Sequence, residues 1–133
     1  MDKIKKYFEN DKFAEYTGIK IIKIEKGWAR VQMDITKNHL NGVGIVHGGA
    51  IFTLADMAFA AAANSHGNIS VGINASISYM NAGKGKFLIA EAEEISRNPK
   101  LSSYTVKITD DENKLVAIFQ GMAYIKKEKI HQE

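Results

Sequence analysis

The sequence predicts an α+β domain in which one antiparallel sheet wraps a single long helix. Three features of the 133-residue chain predict it. An alanine-rich apolar run of helical length extends from about Gly48 to His66. The segments on either side change to a two-residue period, the signature of strands covered on one face. Glycines, Pro99 and Asn/Asp clusters punctuate those segments at hairpin spacing.

Each element can be justified in order. Ile4, Tyr7, Phe8, Phe13 and Tyr16 suit one short amphipathic helix over residues 2–16, stopping near Thr17-Gly18. Ile19, Ile21 and Ile24, then Trp28, Ala29, Val31, Met33 and Ile35, read as two strands about a turn at Lys26-Gly27. TKNHLNGVGIV is a long loop. The helix opens at Gly48 or Gly49, and Gly67 stops it. His66 falls in its last turn, a structural position that suits a partly positive ring. Beyond it, Ile69, Val71, Ile73, Ala75, Ile77 and Tyr79 alternate with small polar residues, which predicts a half-buried strand. Three more strands are expected at about 86–96, 101–110 and 115–126.

Composition narrows the class. The length suits one domain spanning 1–133 with a real core. Without cysteine there is no disulfide framework and no thiolate chemistry. With a charged N-terminal segment, this leads us to expect a cytoplasmic protein. The apolar run is broken by Asp56 and by glycines, so no membrane span is expected. Net charge is only +3, and acids interrupt most of the lysines, so no nucleic-acid patch is expected.

One charge stands apart. Residues 38–83 contain a single Asp, Glu, Lys or Arg, and it is Asp56; the other 32 charged residues lie outside that stretch. An ionised carboxylate in an apolar setting costs several kcal/mol, on the order of the usual desolvation penalty, unless bonded or paired. Such a residue is a candidate for chemistry; a buried, capped structural aspartate is the alternative.

At 100° per residue, Asp56 shares its helix face with Gly49, Phe52, Thr53, Phe59, Ala60 and Ala63. Ile51, Leu54, Ala58 and Ala61 lie opposite and can fill the domain's own core. The Asp56 face is also apolar, so a second subunit or a ligand is its natural cover.

The candidate chemical groups are Asn41, His47, the Gly48 and Gly49 amides, and Asp56. Backbone N–H groups at a helix start can polarise a carbonyl, although a glycine pair also serves a tight turn. Asp56 is eight residues past Gly48, about 12 Å along a helix. One substrate carbonyl cannot reach both groups in one chain. If both act on one reacting group they come from different subunits, with helices antiparallel about a two-fold axis.

Other patterns carry less. Gly42-x-Gly44-x-x-His47 lacks the strand–helix–strand setting of a dinucleotide turn. His39, His47 and Asp56 match no standard ligand spacing, so no metal is expected. There is no nucleophile elbow. Trp28, Tyr104 and the phenylalanines suit a core or an interface.

At NGVGIVHGGAIFTLADMAFAAAANS the chain closely resembles the hotdog-fold acyl-CoA thioesterases of the phenylacetyl-CoA thioesterase (PaaI) type, over about Tyr7 to Tyr124. The shared pattern is Asn41 six residues before His47, then Gly48-Gly49, then Asp56 nine residues after His47. SISYMNAG also resembles the strand and turn that follow.

This resemblance implies a hotdog fold and hydrolysis of acyl-CoA. Asp56 would act as general base or nucleophile, and the Gly48 N–H of the other subunit would polarise the thioester carbonyl. His47 would shape the turn, and Asn41 would orient the carbonyl or water. Gly49, Phe52, Thr53 and Phe59 would contact the acyl group, and Arg97 and Lys100 the CoA tail. No cofactor is implied, since CoA is part of the substrate. Homodimers with composite sites, pairing into homotetramers, are expected. In some relatives a hydroxyl residue stands seven positions before the aromatic of SYM; here that position is Gly72.

Two other readings compete. One is a hotdog module that binds acyl-CoA without hydrolysing it. The other is a hotdog dehydratase, which would need a different His and acid spacing.

Overall fold

The computed structural model describes residues 1–131. Its elements are α1 (Asp2–Phe8), α2 (Lys12–Thr17), β1 (Ile19–Glu25), β2 (Trp28–Asp34), a 3-10 turn (Lys37–His39), α3 (Gly48–Ala63), β3 (Asn68–Tyr79), β4 (Phe87–Arg97), β5 (Leu101–Asp110) and β6 (Leu115–Lys129). The six strands form one antiparallel sheet in the order β1-β2-β4-β5-β6-β3. Helix α3 touches all six. This is the hotdog arrangement.

Small residues allow that wrapping. Ala55, Ala58, Ala61 and Ala62 on α3 are fully buried, as is Leu54, against Ala29, Val31, Leu88, Ala90, Ala92 and Val106 of the sheet. With so many methyl side chains the sheet can approach the helix closely. The Ile51/Leu54/Ala58/Ala61 face is therefore the core face, as its spacing predicted.

Three expectations are corrected. The N-terminal helix is two helices, because Asp11 caps a new one: its Oδ1 accepts from Ala14 N at 3.0 Å. Helix α3 ends at Ala63, short of His66. His66 answers instead to Glu94, its Nε2 donating to Oε1 at 2.9 Å, while the Tyr104 hydroxyl donates to the same oxygen at 2.9 Å.

The third correction concerns β3. Its pairing with β6 shifts between Gly72 and Asn74. One extra residue in a strand reverses which side chains face inward. Ser70 is therefore buried and Val71 exposed, the reverse of the expected alternation. Beyond the bulge, Ala75, Ile77 and Tyr79 stand opposite Gly121, Phe119 and Ala117 of β6. β3 is also a sheet edge, bonded to β6 alone, and Val71 and Ile73 are exposed along it.

Candidate active site

The loop before α3 is held at both ends. Val46 N donates to Gly83 O at 2.8 Å, and His47 N to His39 O at 2.7 Å. A Cβ on Gly83 would lie 3.1 Å from Val46 Cβ, so a glycine lets these backbones meet. Within the loop, Asn41 Oδ1 accepts from Val43 N at 3.0 Å and Ile45 N at 3.3 Å. Its amide nitrogen is left to face elsewhere.

His47 is the N-cap of α3, and its Nδ1 accepts from Gly49 N at 2.8 Å. Of the two glycine amides, Gly49's is thus spent inside the turn. Among the described residues the Gly48 N–H meets no acceptor in its own chain. It is a free donor at the positive end of a 16-residue helix.

Tyr79 was not singled out from the sequence. Its hydroxyl donates to Gly48 O at 3.0 Å, and a Cβ on Gly48 would lie 3.2 Å from its ring. Thirty-one residues separate the pair, so no local pattern links them. His39 was noted only as a non-ligand, yet its ring ties two segments together. Thr36 N donates to Nδ1 at 3.0 Å, and Nε2 donates to Thr17 O at 2.7 Å. The bond from Thr36 makes Nδ1 the acceptor and Nε2 the protonated nitrogen.

Asp56 is exposed on α3; on its helix face Phe59 and Ala63 are buried in the chain's own core, Phe52, Thr53 and Ala60 are half-buried, and Gly49 is exposed. No hydrogen bond to its carboxylate is present among the described residues. Partial desolvation by the surrounding protein, then the negative charge of Asp11, push its carboxyl above the usual aspartate range.

The remaining candidates divide. Thr53 is half-buried, its Oγ1 donating to Gly49 O at 2.8 Å. Phe52 is half-buried, edge-on to Phe119 at 5.3 Å between centroids. Phe59 is corrected from a ligand contact to a core residue: it is 2% exposed and packs on Tyr104 and Phe119. Its neighbours close over it because the facing positions are Gly72 and Gly121.

Arg97 and Lys100 flank the β4–β5 turn. That turn sits beside the exit of α3, since Lys100 O accepts from Ile125 N and Ile125 pairs with Ser70. It is a helix length, roughly 24 Å, from the Gly48 of the same chain. Lys100 is exposed; Arg97 is half-buried, with Nη1 buried and unbonded.

Among the described residues no group of three or more His, Cys, Asp or Glu converges on a metal position. No helix there is long and apolar enough to cross a membrane.

Comparison with known proteins points one way. The model of the thioesterase superfamily matches residues 43–117. A putative esterase of Archaeoglobus fulgidus is 40% identical over 126 residues, 93% of this chain and 82% of that protein. The acyl-coenzyme A thioesterase PaaI of Escherichia coli is 37% identical over 88% of this chain and 84% of its own length. The solved structure of E. coli PaaI superposes with a TM-score of 0.93, covering 98% of this chain and 95% of that one at 34% identity. A Streptococcus pneumoniae hypothetical thioesterase, solved with coenzyme A, superposes at 0.85, covering 93% of this chain and 98% of that one at 26% identity.

Proposed function

The chain belongs to the thioesterase superfamily as a hotdog enzyme of the PaaI type, and on that premise we propose that it hydrolyses acyl-CoA to a free acid and CoA. The carrying observation is a pair of unspent groups. Among the described residues the Asp56 carboxylate and the Gly48 N–H have no hydrogen-bond partner, yet they lie eight residues apart on one helix. About 12 Å of axial rise keeps them from sharing one carbonyl. Two antiparallel copies of α3 would bring each Asp56 beside the other chain's Gly48. The open β3 edge, with Val71 and Ile73 exposed, offers backbone donors and acceptors for such a pairing.

In this reading the thioester oxygen accepts from the Gly48 N–H of one subunit. Asp56 of the other takes a proton from water, whose oxygen adds to the carbonyl carbon. Negative charge gathers on the oxygen facing the amide, where the helix dipole favours it. The C–S bond then breaks, and the thiolate of CoA leaves and is protonated. Direct attack by Asp56 would give an anhydride that water then opens. The Nδ2 of Asn41, freed by the two bonds that fix its Oδ1, serves as a further donor to carbonyl or water. His47 keeps the Gly49 amide occupied and so holds Gly48 in place.

Phe52, Thr53 and Gly49 border the acyl group in this reading. Arg97 and Lys100, distant from their own Gly48, would serve the CoA tail at the site that their own Asp56 completes. No metal or cofactor enters the scheme. The assembly is a homodimer with two sites, paired into a tetramer, in the cytoplasm.

Free-thiol release from aryl, short, medium and long acyl-CoA tests the reading. Asp56→Asn should cut turnover by orders of magnitude while substrate still binds. Retained turnover would end the mechanism. Tight binding by the wild type without thiol release would instead support a non-catalytic acyl-CoA module.

A further inference from the structure

Beside the helix start lies an open cavity of about 600 Å³ that extends from Gly49 and Thr53 to residues the scheme above does not use. Its walls include Phe13 and Tyr16 of α2, His39, and His47, Gly49 and Thr53 of the glycine turn and first turns of α3. The volume falls within the range of about 300–1,000 Å³ that small-molecule sites usually span. We propose that Phe13 and Tyr16 are specificity-determining residues: they form the far wall of the acyl subsite and select acyl groups long enough to reach them. This rests on the acyl-CoA hydrolase reading.

Position is the first support. A thioester carbonyl at the Gly48 N–H places the acyl carbons at the first turn of α3. Gly49 and Thr53 floor the cavity there. In this placement the acyl group runs along the open cavity toward two aromatic rings.

Exposure is the second. Phe13 is 64% and Tyr16 is 89% exposed, although both sit on a helix pinned at each end. Asp11 caps its start, and Gly18, in the left-handed region at φ 83°, ends it. Apolar rings held in water by a rigid mount gain most when a ligand covers them.

Coupling is the third. His39 holds both walls of the cavity. Its ring bonds the last residue of α2 through Thr17 O, and its carbonyl accepts from His47 N at 2.7 Å. One buried residue thus links the glycine turn to the helix that carries the aromatic wall.

The test compares wild type, Phe13→Ala and Tyr16→Ala on acetyl-, butyryl-, octanoyl- and phenylacetyl-CoA, with kcat and KM from thiol release. Both side chains are exposed, so the variants should fold; size-exclusion chromatography and thermal melts verify this. Acetyl-CoA is too short to reach α2, so its kcat/KM should stay within about twofold of wild type. For octanoyl- or phenylacetyl-CoA, kcat/KM should fall about tenfold, mainly through KM. An equal fall on every substrate, or no fall on any, overturns the proposal and leaves the hydrolase reading standing. A change in oligomeric state overturns it too, by making the rings a subunit contact. Absence of turnover by the wild type on every acyl-CoA would overturn the hydrolase reading and the gauge with it.

Discussion

The ring of Phe59 fills the space that a side chain at Gly72 would need. A Cβ built on Gly72 stands 2.9 Å from Phe59 Cε2, and one on Gly121 stands 2.8 Å from Cε1. One phenylalanine of the central helix thus lies in a notch made by two glycines on neighbouring strands. The hydroxyl residue that some relatives carry at the Gly72 position has no room in this packing.

Gly72→Ser should therefore destabilise the protein by about 1–3 kcal/mol, the usual range for overpacking a filled site. Urea unfolding measures it. Phe59→Leu in the same chain should return part of the loss, because the clash is with the ring. Equal stability of Gly72→Ser and wild type would show that Phe59 can move aside.

Removing one hydroxyl tests the hold on the helix start. Tyr79→Phe keeps the ring against Gly48 and loses the bond to its carbonyl. Tyr79 is about half exposed, so water partly replaces that bond and the stability cost should be at most about 1 kcal/mol. The kcat should fall severalfold with KM little changed, because the Gly48 amide loses its alignment. An unchanged kcat would make Tyr79 a bystander.

Subunit mixing tests the shared site. Gly48→Pro removes the N–H at the first helical position, where proline is tolerated. The preceding His47, at φ −59° and ψ 136°, already has the conformation that proline asks of its neighbour. Gly48→Pro and Asp56→Asn should each be inactive alone. Unfolded together and refolded at equal ratio, they should recover about a quarter of wild-type activity, since half the dimers carry one intact site. No recovery would place both groups in one chain.

The acid limb of the rate profile should follow Asp56. Its carboxyl titrates above the usual aspartate range, by desolvation first and the charge of Asp11 second. The base is ionised only above that raised pKa, so activity should rise with pH at a midpoint above about 3.9. Asp11→Asn removes the charge and keeps an N-cap side chain. The limb should then move to lower pH. Folding runs the other way: the wild type loses stability as pH rises from about 3.9 through the raised folded value. Asp56→Asn should therefore melt higher than wild type at neutral pH and lose that advantage in acid. A limb unmoved by Asp11→Asn would detach the two carboxylates.

The sequence alone predicted the single long helix, its core face and six strands along the chain, and it singled out His47, Gly48 and Asp56 as candidates; the sheet order, with β3 against β6 and not in a hairpin with β4, was decided by the tertiary structure. Helical and strand periods are set by local geometry, and a lone charge in an apolar run is visible without coordinates. Tertiary structure decided the rest. The bulge at Gly72–Asn74 reversed the faces of β3, because pairing with β6 overrode alternation along the strand. Phe59 went into the core because its notch is made by Gly72 and Gly121, one of them 62 residues away. Tyr79 met Gly48, and His39 joined α2 to the glycine turn, through bonds that span 31 and 22 residues. The sequence fixes which side chains can bond, whereas chain closure through the sheet brings the two partners within 3 Å of each other.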